Sequence, residues 1–194
     1  MSKKFQFIWA KYKEVLLSYL IMSIVVVLYI STQKNFFTAY GIKSTFDQFL
    51  TLLFAGLAQT VVILTGGIDL SVGSIIGLSN TIMAFAMVPI AQAVGSDLGG
   101  VVIVALITLA IGLAAGLVNG FIIVYGRLQP IIVTLSTSYI FTGIGMLILS
   151  KPDGQVVSGF SKMLIGTTSA LHLPKSCIWM LIAIFAIWMP ITKS

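Results

Sequence analysis

TGGIDLSVGS, residues 65–74, places one aspartate, two serines and three glycines between two long apolar runs. In a water-soluble chain such a stretch is an ordinary turn. Its neighbours here decide otherwise. The 194 residues are 58% hydrophobic and 8% charged, where soluble domains carry about 25% charge. Mean hydropathy is +1.10. Several runs exceed the roughly 18 apolar residues that mark a membrane span. They are continuously apolar rather than alternating, which favours helices over a β-barrel. The reading is one all-α domain over residues 1–194, a polytopic transmembrane helix bundle.

Working outward, six spans are expected: Val15 to Ile30, Phe46 to Leu64, Leu70 to Val94, Gly100 to Tyr125, Pro130 to Leu149 and Ser176 to Ile191. Lys3, Lys4, Lys11 and Lys13 place the N-terminus in the cytoplasm. The apolar run after them is long for a signal peptide and has no small-residue cleavage site, so it reads as an uncleaved first helix. Alternation puts the link Gly95 to Gly100 outside. The link Gly126 to Pro130, with the only arginine, Arg127, falls inside, and the loop Ser150 to Lys175 outside. Lys193 returns to the cytoplasm. Lys34, Lys43, Lys151, Lys162 and Lys175 stand on the outer side, so the charge bias is not clean. Pro130 suits a first helical turn, and Pro89 is expected to kink or end the third span. Pro152, Asp153, Gly154 and Pro174 mark a true loop with room for one short surface helix.

The net charge of +6 is the ordinary cytoplasmic excess of Lys and Arg, and the spread of the bases argues against nucleic-acid binding. Cys177 and His172 each stand alone, so neither a disulfide, a CxxC pair nor a metal site is expected. Neither a G-x-x-x-x-G-K-[ST] phosphate loop nor HExxH nor G-x-S-x-G occurs. Glu14, Asp47, Asp97 and Asp153 map near helix ends or loops, which leaves no acid–base pair. No catalytic residue and no cofactor is expected.

Gly112, Gly116 and Gly120 form a small-residue ladder on one face of the fourth span, with Gly73 and Gly77 as a shorter pair in the third. Such faces let helices approach closely in lipid, although glycine is also simply common there. Gln59, Thr60, Ser79, Asn80, Thr81 and Asn119 add polar groups at span depth, as do Thr134, Ser136, Thr137 and Ser138. Ser and Thr hydroxyls can bond their own helix. The amides Asn80 and Asn119 have more groups to satisfy and are expected to face the interior or a wet cavity.

Two accounts of the opening stretch stay open together. In one, Gly66 and Gly67 make a turn, and Asp69 or Ser71 accepts from the first backbone N–H groups of the next helix. In the other, the helices are broken within the membrane, and the polar ends border a transport pathway.

LTGGIDLSVGSIIGLSN, Leu64 to Asn80, resembles the signature of permease subunits of bacterial ABC importers for ribose, xylose, galactose and related sugars. GLVNGFIIVYGRLQPIIVTLSTSYIFTGIG, Gly116 to Gly145, is a second match, with its Asn-Gly pair and GR-x-x-P-x-I-V-T-L turn. NFFTAYGI, Asn35 to Ile42, is a weaker third. The resemblance runs from about Asn35 to Ser158.

The resemblance implies one half of a sugar channel in the bacterial cytoplasmic membrane, working by alternating access. It implies a second permease subunit, identical or not, two cytoplasmic ABC ATPases and an extracytoplasmic sugar-binding protein. Gly66, Gly67, Asp69, Ser71, Gly73, Asn80 and Asn119 are the candidates for the pathway or its motif, and Gly112, Gly116 and Gly120 for helix packing. Family members are longer, so the chain reads as an N-terminal portion, without the coupling segment that docks on the ATPase. The alternative is a truncated, non-transporting membrane partner of such a complex.

Overall fold

A computed structural model describes residues 3–33, 36–151, 154–164, 166–168 and 174–193. Lys34, Asn35, Pro152, Asp153 and His172, singled out above, lie outside the described residues. Seven helices are seen among them: α1 Lys3–Thr32, α2 Ala39–Leu64, α3 Val72–Val94, α4 Asp97–Gly126, α5 Pro130–Ile148, α6 Ser158–Leu164 and α7 Lys175–Lys193. An isolated bridge joins Thr167 and Pro174, and no strand is present among the described residues. The chain divides into two compact units, Met1–Ser44 and Thr45–Ser194, with the boundary inside α2.

Five helices, α1 to α5, are long and apolar enough to cross a membrane, one fewer than the six expected. The sixth expected span coincides with α7, Lys175–Lys193, whose apolar stretch is described over Lys175–Ala186. The helices α1, α2, α4 and α7 outrun the apolar windows read from sequence, while α3 and α5 keep within them. Hydropathy marks the part that suits hydrocarbon, whereas backbone hydrogen bonding continues into the interface. The short helix α6 occupies the long loop after α5, as the loop's length allows.

In the first unit, Phe36 lies edge-on to Tyr29 (5.9 Å between ring centres) and to Phe37 (5.2 Å). Thr38 accepts the N–H of Gly41 at 3.1 Å and caps α2. Residues 36–42 of the NFFTAYGI stretch thus form a capped helix start.

In the second unit, α3 is central and packs on α4 and α5. A two-residue link, Gly95 and Ser96, joins α3 to α4. Gly95 adopts φ 71°, its N–H donates to Gln92 O (3.2 Å), and the Ser96 N–H donates to Ala91 O (3.1 Å). This paired closure satisfies the last carbonyls of α3. Ser96 Oγ then accepts from Gly99 N–H and starts α4. So tight a link drives the two helices together beside it. At Gly100 an added Cβ would lie 2.5 Å from Ala91 Cβ and 2.6 Å from Ala91 Cα. Met87, Val101 and Val104 form the small core next to this crossing, covered by Val157 and Phe160 from the loop and α6. Gln155 donates its N–H to Ala84 O at 3.1 Å and draws that loop onto α3. Pro89 neither ends nor breaks the helix assignment, since α3 continues to Val94.

Burial elsewhere is slight. α2 buries no side chain among the described residues. Leu109, Leu117 and Leu147 are 69%, 64% and 87% exposed. Exposed apolar surface on this scale is untenable in water and ordinary against lipid.

Candidate functional site

The opening stretch folds in two steps. First, α2 closes as α3 does. Gly66 adopts φ 75°, its N–H donates to Ile63 O (2.9 Å), and the Gly67 N–H donates to Val62 O (3.0 Å). The turn expected of the two glycines is therefore a helix-terminating closure. Only the first needs the left-handed backbone that glycine adopts freely. Gly66→Ala is expected to cost about 1 kcal/mol and lower the melting midpoint in detergent by about 2–4 °C. Gly67→Ala, with negative φ and only ordinary contact at 3.4 Å from Val62 Cγ1, should change it much less.

Second, Asp69 turns the chain into α3. Its Oδ1 accepts from Ser71 N–H at 2.7 Å and from the Ser71 hydroxyl at 2.6 Å. The expected capping by Asp69 is therefore seen at the single N–H of Ser71. Ser71 itself caps no backbone group. Its hydroxyl proton is held by Asp69, and its oxygen accepts from Asn119 Nδ2 of α4 at 2.8 Å. Next to it, the Leu70 N–H donates to Thr134 Oγ1 of α5 at 3.1 Å, while Thr134 donates to Pro130 O at 2.8 Å. Ser71, Asn119 and Thr134 are buried. One polar knot thus ties the start of α3 to both α4 and α5. Asn119 lies two turns before the end of α4, about 10 Å along its axis, so the knot is set back from that helix end. Asn119 Oδ1 is buried and accepts no hydrogen bond among the described residues.

Beyond the knot, α3 and α5 flank a groove of about 460 Å³. Gly73, Ser74, Gly77 and Thr81 line it from α3, and Ser138, Phe141, Thr142 and Gly145 from α5. No charged side chain lines it. A Cβ at Gly73 or Gly77 would meet nothing within 4 Å, so these glycines keep the groove wide rather than pack a helix. Gly145 is buried beneath Thr81, 3.7 Å from its hydroxyl to an added Cβ.

The structure therefore brings Asp69, Ser71 and Asn119 together and puts Gly73 beside them in the groove wall. It does not bring Asn80 to them. Asn80 is exposed and lies outside the groove lining. Gly112, Gly116 and Gly120 meet nothing within 4 Å, so no other described part of the chain packs on this ladder. Thr134 is the site residue that sequence reasoning passed over. It does bond its own helix, as Ser and Thr commonly do, yet its oxygen also accepts a second bond from Leu70. The local sequence around Pro130 offered no hint of that, because the bond spans 64 positions.

The comparisons with known proteins agree with this architecture. Residues 41–194 match the family described as branched-chain amino acid transport system / permease component. The D-allose transport system permease protein AlsC of Escherichia coli K12 is 31% identical over 193 residues, covering 97% of this chain and 55% of the relative. The autoinducer 2 import system permease protein LsrD is 30% identical over 156 residues in E. coli O9:H4 and in Shigella flexneri, covering 76% of this chain and 44% of the relative. The chain spans about half the length of the curated relatives it matches. No solved structure matches it. Five apolar helices and these bacterial relatives make it a multi-pass protein of the bacterial cytoplasmic membrane. By the match over residues 41–194, the chain belongs to the permease-component family of branched-chain amino acid transport systems.

Proposed function

We propose that the chain serves as the transmembrane permease subunit of an ABC importer and moves a neutral sugar, a ribose-like pentose or a hexose, by alternating access. The observation that carries this reading is the α3–α5 groove, open, free of charge, and lined by hydroxyls and glycines interleaved with Leu70, Leu78, Phe141, Met146 and Leu149. A sugar presents only hydroxyls and ether oxygens, which such a wall can meet and release. An amino acid presents an ammonium and a carboxylate, and each would need a charged or strongly polar partner away from water. Hence the sugar permeases among the relatives are the better guide to the solute than the family's description. In this reading the N-terminus is cytoplasmic, an extracytoplasmic binding protein delivers the sugar, and a partner ATPase supplies the energy. The glycine ladder of α4 then packs against a helix of the assembled transporter, which includes a second permease subunit.

Asp69, Ser71 and Asn119 make no bond to solute in this mechanism. They hold α3, α4 and α5 as one body, so that closure of the ATPase pair can tilt the groove without dissolving its wall. Gly66 and Gly67, where α2 ends, are the adjacent joint. The test is reconstitution of the full-length gene product with its ATPase and binding protein in proteoliposomes. ATP-dependent uptake of at least one labelled pentose or hexose is expected, without uptake of leucine. No uptake across the sugar panel, or ATP-driven leucine uptake, overturns the reading.

A further inference from the structure

Hydroxyls inside apolar helices normally donate to a carbonyl one turn back. In α5, Thr134, Ser136, Thr137 and Thr142 all do so, to Pro130, Ile132, Thr134 and Ser138. The Ser138 hydroxyl does not, and it makes no hydrogen bond to any described residue. In α3, Ser74 donates to Ser71 O, while Thr81 makes none. Thr81 and Ser138 lie on opposite walls of the same groove. Neither hydroxyl is among the buried polar atoms left without a partner, so both stay accessible from the groove and able to meet a ligand. Here the commonplace backbone bond is forgone on both walls, at positions roughly 10 Å apart along the groove, because Thr81 stands opposite Gly145 and Ser138 lies two turns before it on α5.

We propose that Thr81 and Ser138 form a solute-binding pair that hydrogen-bonds hydroxyls at opposite ends of a neutral sugar during its passage. The proposal rests on the permease reading and adds the residues that discriminate among solutes. A hydroxyl donates one proton and accepts through two lone pairs, so it matches a sugar hydroxyl in either sense. Two such groups on facing walls bridge a ring without the binding strength that would trap it. Gly77 and Gly145 fit the same purpose. Gly77 leaves the wall beside Thr81 open, and Gly145 lets Thr81 sit close over α5.

The experiment uses the assembled transporter in proteoliposomes, with the best-transported sugar and its singly deoxygenated analogues as probes. Thr81→Val keeps the side chain's shape, Ser138→Ala removes only the oxygen, and Ser136→Ala, whose hydroxyl is tied to Ile132 O outside the groove, is the control. Each groove variant is expected to lower uptake at sub-saturating sugar by about five-fold, as loss of one net hydrogen bond does. Each should also erase the discrimination against one deoxy analogue. In a Cys177→Ser background, Thr81→Cys and Ser138→Cys should react with a membrane-impermeant maleimide and be protected by the sugar. If wild-type protein transports sugar while Thr81→Val and Ser138→Ala match it in rate and selectivity, the pair has no such role and the permease reading stands. Unreactive cysteines at both positions mean that another helix fills the groove, which also overturns the pair. If wild-type protein transports no sugar at all, the permease reading fails and takes the pair with it.

Discussion

Gly100→Val is expected to prevent recovery of a monodisperse protein from detergent, and Gly100→Ala to lower its melting midpoint by about 5 °C. The cause is backbone, not side chain. A Cβ at position 100 would lie 2.6 Å from Ala91 Cα and 2.8 Å from Ala91 N, where carbon contacts settle near 3.5–4.0 Å. The helices α3 and α4 would have to part by about an ångström at their closest point, and the Gly95–Ser96 link is too short to absorb the shift. Met87 would then lose its seat between Val101 and Val104. Overpacking of this kind costs roughly 1–3 kcal/mol for small additions and more when backbone blocks relaxation. Ala91→Gly in the Gly100→Ala background should rescue only part of the loss, because it removes the Cβ and leaves Cα and N in place. Full rescue would show that only two methyl groups collide, and the backbone account would fail. Gly112→Ala is the contrast. It meets nothing within 4 Å, so the isolated chain should tolerate it or gain a little helix stability.

That contrast also shows what the sequence could and could not disclose. The all-helical fold, the positions of α1 to α5 and the special character of residues 65–74 follow from apolar length and from residues that hydrocarbon does not tolerate. The four-residue spacing of Gly112, Gly116 and Gly120 drew attention to glycines on which no other described part of this chain packs. Spacing marks a smooth face but says nothing of where two helices cross. The crossing is set by the two-residue link, and its clue was present in small residues one turn either side of it, Ala91 and Gly100. Asn119 was legible because a buried amide needs partners, and its partner is Ser71. Asn80 obeyed the same logic yet is exposed, on a face of α3 turned away from the Leu78 and Thr81 contacts with α5. Thr81 and Ser138 look like every other membrane hydroxyl until the bonds of their neighbours are known.

Asn119→Asp is expected to be the most damaging single substitution in the polar knot, and the reason is a count of protons. The Ser71 hydroxyl has one, and it is directed at Asp69 Oδ1. Its oxygen therefore offers only lone pairs to α4, which fixes Asn119 with its Nδ2 towards Ser71. An ionised aspartate at 119 has no proton to give. It would place a second carboxylate against the same oxygen, buried and unpaired, a fault that costs on the order of 3–5 kcal/mol. Asn119→Leu removes the bond without adding charge and leaves Ser71 short of one donor, so it should cost about 1–3 kcal/mol. The deciding variant is the exchange Asp69→Asn with Asn119→Asp. One carboxylate and one amide then again flank Ser71, and the serine proton can turn to α4 while the amide at 69 donates from the other side. The melting midpoint in detergent should fall in the order wild type, exchange, Asn119→Asp. If the exchange is no better than Asn119→Asp alone, the two side chains are not coupled through Ser71, and α3 is not tied to α4 in this way.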